Sequence, residues 1–247
     1  MRTAADNRER LDGASPGHHL SASTQVAVIL GRDWEDGIGE TVSVTIRVHE
    51  GDLPDLANYP GSVAIDTETM GLKPHRDRLC LVQLSPGDGT VDIVKIAAGQ
   101  SQAPNLAALL TDPGRVKIFH FARFDVAVLK RAFDVDVSPL WCTKIASRLT
   151  RTYTDRHGLK DLARELVGVE LSKQQQSSDW GADELTDAQR DYAASDVLYL
   201  HAIKDALEER LARAGRTELA EACFAFLPTR AGLDLLGWDD TDIFAHS

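Results

Sequence analysis

Apolar residues early in the chain alternate with polar ones or run in blocks too short for helices. QVAVIL (25–30) and TVSVTIRVH (41–49) read as β-like runs divided by the turn-prone GRDWEDGIGE. From Gly61 the pattern sharpens. SVAIDTE predicts a short strand, RLCLVQLS a second and TVDIVKI a third, the last two joined by the turn PGDG. NLAALLTD predicts a helix, VKIFHF a buried strand and FDVAVLKRAF a helix. After a short segment around Val137–Trp141, TKIASRLTR predicts another helix. HGLKDLARELVG is amphipathic, with Gly168 placed as a C-cap. The polar loop SKQQQSSDWGAD precedes one long helix expected from Leu185 to Ala214. Three early strands, then helices with one more strand, predict a single α/β domain, a mixed sheet flanked by helices. The tail FLPTRAGLDLLGWDDTDIFAHS is too apolar to be loose and is expected to pack on the body or on a neighbouring subunit. Residues 1–24 are polar and read as a disordered leader. The domain is assigned to 41–247, with 1–40 a disordered or loosely attached extension.

The apolar fraction, 43% of 247 residues, suits a soluble protein with a good core. The net charge is −11 and the pI about 5.1. A protein that coats long nucleic acid needs a basic surface, because phosphate neutralisation supplies most non-specific affinity. That excess is missing, so the partner is either not a polyanion or a short anion met at a local basic patch. Cys80, Cys142 and Cys223 are too sparse for a disulfide framework or a zinc knuckle and read as buried thiols in a reducing cytosol. No apolar run reaches the roughly 18 residues of a membrane span, and the N-terminus has no hydrophobic stretch of the signal-peptide kind. A cytoplasmic location is expected.

The chemistry lies in misplaced carboxylates. Asp66 and Glu68 end the strand that begins at Val63. Residues two apart on a strand point the same way, so both acids leave one face. Such a pair repels unless a cation lies between, and Mg²⁺ or Mn²⁺ favours oxygen ligands. A simple strand-ending turn explains the pair equally well. Asp125 sits in the first turn of its helix on the buried stripe, where the helix dipole alone also favours an acid. Asp196 falls in the middle of the long helix, inside the stripe of Leu185, Tyr192, Tyr199, Ile203 and Leu207. No cap accounts for it there; either a core arginine or a metal must. Tyr192 lies one turn before it.

These segments resemble the DEDD exonucleases, whose fold is ribonuclease H-like. DTET (66–69) resembles their first motif, HFARFD (120–125) the second and YAASD (192–196) the third. The YxxxD form, with Asp191 rather than histidine five positions before Asp196, points to the tyrosine branch. SDWGADELTDAQRDYAASDVLYL resembles ribonuclease D. DTETMGLKPHRDRLCLVQLSPGDGT, TKIASRLTRTYTDRHGLKDL, SKQQQSSDWGA and LDLLGWDDTDIFAHS resemble the small diribonuclease branch, the nano-RNase C family, over about 45–247.

The resemblance implies a 3′–5′ exoribonuclease with two divalent cations, Mg²⁺ or Mn²⁺, about 3.5–4 Å apart. Asp66 would bridge them, Glu68 and Asp196 would complete one site, and Asp125 would hold the second. Tyr192 would orient the attacking water. The expected substrate is an RNA dinucleotide such as linear diguanylate, cut to 5′-mononucleotides at the end of RNA decay. The family also implies a ring-like homo-octamer. Leu72 is expected to wedge between two bases, with simple packing as its other role. His157 and Lys160, three apart and read as sharing a helical face, are candidates to cap a 5′ phosphate, as are Gln176 and Ser178. His120 serves either as a paired core histidine or as a substrate contact. Thr67, Thr69 and Met70, within and just after the first motif, complete the candidate substrate contacts. Two rivals remain: a general exonuclease on longer RNA or DNA, and a nuclease fold that only binds.

Overall fold

A computed structural model describes residues 23–30, 40–172 and 174–246. Seven strands form one mixed sheet: β1 (Ser23–Leu30), β2 (Glu40–Glu50), β3 (Val63–Thr69), β4 (Leu79–Ser85), β5 (Thr90–Lys95), β6 (Lys117–Phe119) and β7 (Leu140–Cys142). Their spatial order is β1-β2-β5-β4-β3-β6-β7. The pairs β1–β2, β3–β4 and β4–β5 are antiparallel, whereas β2–β5, β3–β6 and β6–β7 are parallel. The predicted mixed sheet with flanking helices is therefore observed.

β3 shows why sequence gives site. Its alternation sends Val63 and Ile65 to one core cluster and Ala64 to the other. β4 is buried along its whole length, so it lies at the centre of the sheet with both faces covered. Truncating one such residue, Leu81→Ala, would cost about 2–5 kcal/mol. One face carries α1 (Pro104–Thr111) and α2 (Ala122–Phe133); the other carries α5 (Asp187–Leu198). Between them along the chain come α3 (Thr143–Thr150), the single turn α4 (Leu159–Leu162) and a wider π-type turn, Ala163–Val167. Gly168 ends that turn at φ 77°, the left-handed C-cap the sequence predicts.

The expected single helix from Leu185 to Ala214 is corrected. It is two helices, α5 and α6 (Leu200–Arg213), interrupted at Tyr199 (φ −104°, ψ 0°). The apolar spacing continues across the break, so periodicity cannot detect it. The break lets Ala194, Val197 and Leu200 cover one core cluster while Ile203, Leu207 and Leu211 enter the other. α5 begins at Thr186, whose side chain accepts from the Gln189 backbone N–H while the Gln189 side chain accepts from Thr186 N–H. This capping box contributes about 1 kcal/mol and fixes where the helix, and so Tyr192 and Asp196, begin.

The domain boundary expected at residue 41 cuts through a strand pair. β1 is an edge strand hydrogen-bonded to β2, so Ser23–Leu30 belongs to the sheet. Residues 1–22, and with them most of the expected leader, lie outside the described residues. The tail packs on the body: α7 (Thr217–Leu233), followed by a π-type turn at Asp234–Trp238, lies against α2. Cys80 and Cys142 are buried and Cys223 half-buried, all as free thiols. Among the described residues, no helix is long and apolar enough to cross a membrane.

Candidate active site

β3 delivers its carboxylates to the floor of an open cleft of about 640 Å³, where they meet acids from two helices. Carboxylate oxygens of Asp66, Glu68 and Asp196 all lie within 4.8 Å of one another. Asp125 stands just outside this trio. It is 3% exposed and accepts a hydrogen bond from the Thr67 hydroxyl at 2.7 Å. Asp196 is not in mid-helix as expected; it lies in the last turn of α5, two residues before the end at Leu198. The helix dipole disfavours an acid there, which strengthens the need for a cation.

Burial raises all four carboxyls above the ordinary carboxylate range. Asp66 is held well above it by burial first, then by the charges of Asp125, Asp196 and Glu68. Glu68 is pushed up to about 9 by burial and by Asp196 and Asp125. Asp125 rises to about 7 through burial, against the opposing hydrogen bond from Thr67. Asp196 also rises to about 7 through burial, with a hydrogen bond from Tyr192 opposing and the Asp125 charge adding. The Tyr192 hydroxyl is pushed up by burial and by Asp196, Glu68 and Asp66, which keeps it protonated. Among the described residues no lysine or arginine forms an ion pair with any of the four acids. The core arginine that could have explained Asp196 is therefore not its partner. Three converging carboxylates without a basic partner match hard divalent cations, Mg²⁺ or Mn²⁺.

The cleft lining gathers most of the other candidates. Met70 is 53% and Leu72 85% exposed above the acids, so Leu72 is not a packing residue. Thr67 turns its hydroxyl to Asp125, and Thr69 donates to the Gly71 carbonyl. His120 lines the cleft with Nδ1 2.8 Å from Thr143 Oγ1, and burial beside Lys144 drops its pKa to about 3, so it is a paired, neutral imidazole. Lys160, Gln176 and Ser178 also line the cleft. His157 does not. α4 begins at Leu159 with Gly158 as N-cap, so His157 precedes the helix and shares no helical face with Lys160. Its Nδ1 lies 2.8 Å from Ser147 Oγ instead.

Phe121, Lys144 and Trp180 are among the lining residues that the sequence does not single out. Phe121, the N-cap of α2, adopts φ 67°, ψ 43°, and its ring is 43% exposed. Lys144 holds Nζ 4.3 Å from the centre of that ring. Trp180 is buried with its ring 5.9 Å from that of Tyr192. A tryptophan inside the otherwise polar SKQQQSSDWGAD is a usable signal; Phe121 and Lys144 lie within HFARFD and TKIASRLTR without standing out there.

Comparison with known proteins agrees with this geometry. Residues 53–212 match the model of a family described as 3′–5′ exonuclease. The structure of NrnC from Brucella melitensis bound to pGG superposes with a TM-score of 0.81 at 64% identity, covering 83% of this chain and 100% of that one. NrnC from the same organism with bound Mg²⁺ superposes at 0.79, also at 64% identity, covering 82% and 99%. Ribonuclease D of Gluconacetobacter diazotrophicus is 37% identical over 165 residues, 67% of this chain and 42% of that protein. The chain thus spans about two fifths of the length of the curated ribonuclease D relatives it matches.

Proposed function

Because the chain belongs to the 3′–5′ exonuclease family, we propose that it is a diribonuclease, hydrolysing RNA dinucleotides to 5′-mononucleotides with two divalent cations. The observation that carries this reading is the trio Asp66, Glu68 and Asp196, gathered without a basic partner among the described residues in a cleft that the exposed Leu72 also lines. Its close relatives include one bound to pGG and one bound to Mg²⁺, which supports both the short substrate and the cations.

Asp66, Glu68 and Asp196 would hold one cation, and Asp125, with Asp66 nearby, would help hold the other. When bound, the cations supply an activated water at neutral pH and stabilise charge on the phosphate. Tyr192, kept protonated by burial and by its acidic neighbours, would orient the attacking water. Leu72 inserts between the two bases, with Thr67, Thr69, Met70 and His120 shaping the same wall. Lys160, Gln176 and Ser178 take the 5′ phosphate, whereas His157, paired with Ser147, does not line the cleft. The net charge of −11 fits a substrate with few phosphates.

The enzyme acts in the cytoplasm as a homo-oligomer, an octamer by family likeness. The exposed Leu236, Trp238 and Phe244 near the C-terminus support self-association, and light scattering on the purified protein measures it. The deciding experiment for activity incubates the protein with Mn²⁺ and 5′-labelled RNAs of two to seven nucleotides. Dinucleotides are expected to vanish fastest; equal turnover of seven-mers would reject the dinucleotide reading. Undiminished hydrolysis in Asp66→Ala would reject the assigned centre.

A further inference from the structure

Gln83 is a polar residue at the centre of the sheet that the chemistry above leaves unused. It lies in β4 at 0% exposure, and among the described residues neither its amide nitrogen nor its carbonyl oxygen has a hydrogen-bond partner. Buried polar groups are almost always paired, and an unpaired amide is costly at both ends. Leucine would fill this place without that cost, so folding alone does not account for a glutamine here.

The strand register says where its partner lies. Gln83 stands directly opposite Asp66 in the antiparallel β3–β4 pair. Opposite residues leave the same face of the sheet with Cβ atoms about 4.5–5.5 Å apart. On its other side β5 presents Ile93. The cluster on that face includes the apolar Ala64, Leu81, Ala194 and Val197, with Cys80, Trp180 and Tyr192 its members that carry polar side-chain atoms, and among the described residues none of these hydrogen-bonds Gln83. Asp66 receives a backbone hydrogen bond from Thr67. Among the described residues no side chain donates to it.

We infer that Gln83 is a positioning residue for Asp66, donating its amide N–H to the carboxylate oxygen turned from the cleft when divalent cations are bound. The inference rests on the cation site proposed above. A donor behind a ligating carboxylate fixes its orientation and typically improves metal affinity tenfold to a hundredfold. An amide does this without neutralising the negative charge the cations need, as a lysine would.

Gln83→Leu and Gln83→Met, the second a close match in shape, test it by calorimetric titration of Mn²⁺ and by melting of the cation-free protein. Both variants are expected to melt at or above the wild type and to bind Mn²⁺ about 10–100-fold more weakly. A folded variant with unchanged Mn²⁺ affinity would overturn the proposal. Melting of both below the wild type would overturn it too, since the amide would then be structural. Asp66→Ala separates this from failure of the parent reading. Unchanged Mn²⁺ binding in Asp66→Ala removes the cation site itself. Lost binding in Asp66→Ala with intact binding in Gln83→Met removes only the role of Gln83.

Discussion

The hydroxyl of Thr67 on β3 donates to Oδ1 of Asp125 on α2 across 2.7 Å, with both residues buried. Thr67 sits between Asp66 and Glu68, so strand alternation turns it to the opposite face, where α2 packs. One strand therefore organises acids on both of its sides. Thr67→Val keeps the shape and removes the donor, which leaves Asp125 buried without it. The variant is expected to lose about 1–3 kcal/mol in urea unfolding. The lost bond is one that lowers Asp125, so its titration moves up from about 7, and Mn²⁺ affinity near neutral pH falls. Unchanged stability and affinity together would separate this hydroxyl from the site.

The four raised carboxyls make the cation-free fold sensitive to alkali. Unfolded Asp and Glu titrate near 4, whereas Asp125 and Asp196 titrate at about 7 and Glu68 at about 9 in the fold. Across that window the native state holds protons that the unfolded chain has released. Stability therefore falls as pH rises from about 4 to about 9. Cations replace those protons, so the gain in melting temperature on adding Mg²⁺ or Mn²⁺ is expected to be larger at about pH 8.5 than at about pH 6. Scanning calorimetry of EDTA-treated protein checks this; an equal gain at both pH values would contradict the account.

The carboxylates were legible because each breaks a pattern: Asp66 and Glu68 repeat at the strand period, and Asp196 sits in an apolar stripe. What linear spacing misses is set by single backbone conformations or by contacts across the fold. Tyr199 ends α5 without interrupting the apolar spacing, and α4 begins at Leu159, two residues too late to include His157. Phe121 faces the cleft because its backbone is left-handed, and Lys144 reaches it from α3. Gln83 reads in sequence as an ordinary strand position. Only the register with Asp66 gives it meaning.

Gly71 is required by Asp77. A Cβ at Gly71 would overlap the Asp77 carboxylate, with Cγ only 2.8 Å away. That carboxylate accepts from the Lys73 backbone N–H at 2.9 Å and from Arg76, and so shapes the turn that presents Leu72. Gly71→Ala is expected to displace Asp77 and raise KM for dinucleotides several-fold with little change in kcat, because the acids stay in place. Asp77→Ala should act in the same direction. The double variant should be little worse than either, since both loosen one turn. Fully additive effects on KM would mean that the two residues act independently.

The C-terminal segment is held by a charge cluster that begins two residues before Asp125. Arg123 donates to both Asp234 oxygens, at 2.6 and 2.8 Å, and to the Asp239 carbonyl at 2.6 Å. Arg230 lies 3.1 Å from Asp234 and donates to the carbonyls of Trp238 and Asp239. Asp239 in turn approaches Lys73 at 3.9 Å, beside Leu72. Asp234→Ala leaves two guanidinium groups facing each other over a nearly buried position. After discounting for the part-exposed Arg123, this should cost about 1–3 kcal/mol in urea unfolding. Trypsin should also cut after Arg230, in the last turn of α7, under native conditions. Asp234→Asn retains an acceptor for Arg123 and should lose less. If Asp234→Ala unfolds like the wild type and resists trypsin, apolar contacts such as Phe226 against Phe244, 6.0 Å apart, hold the tail without the charge cluster.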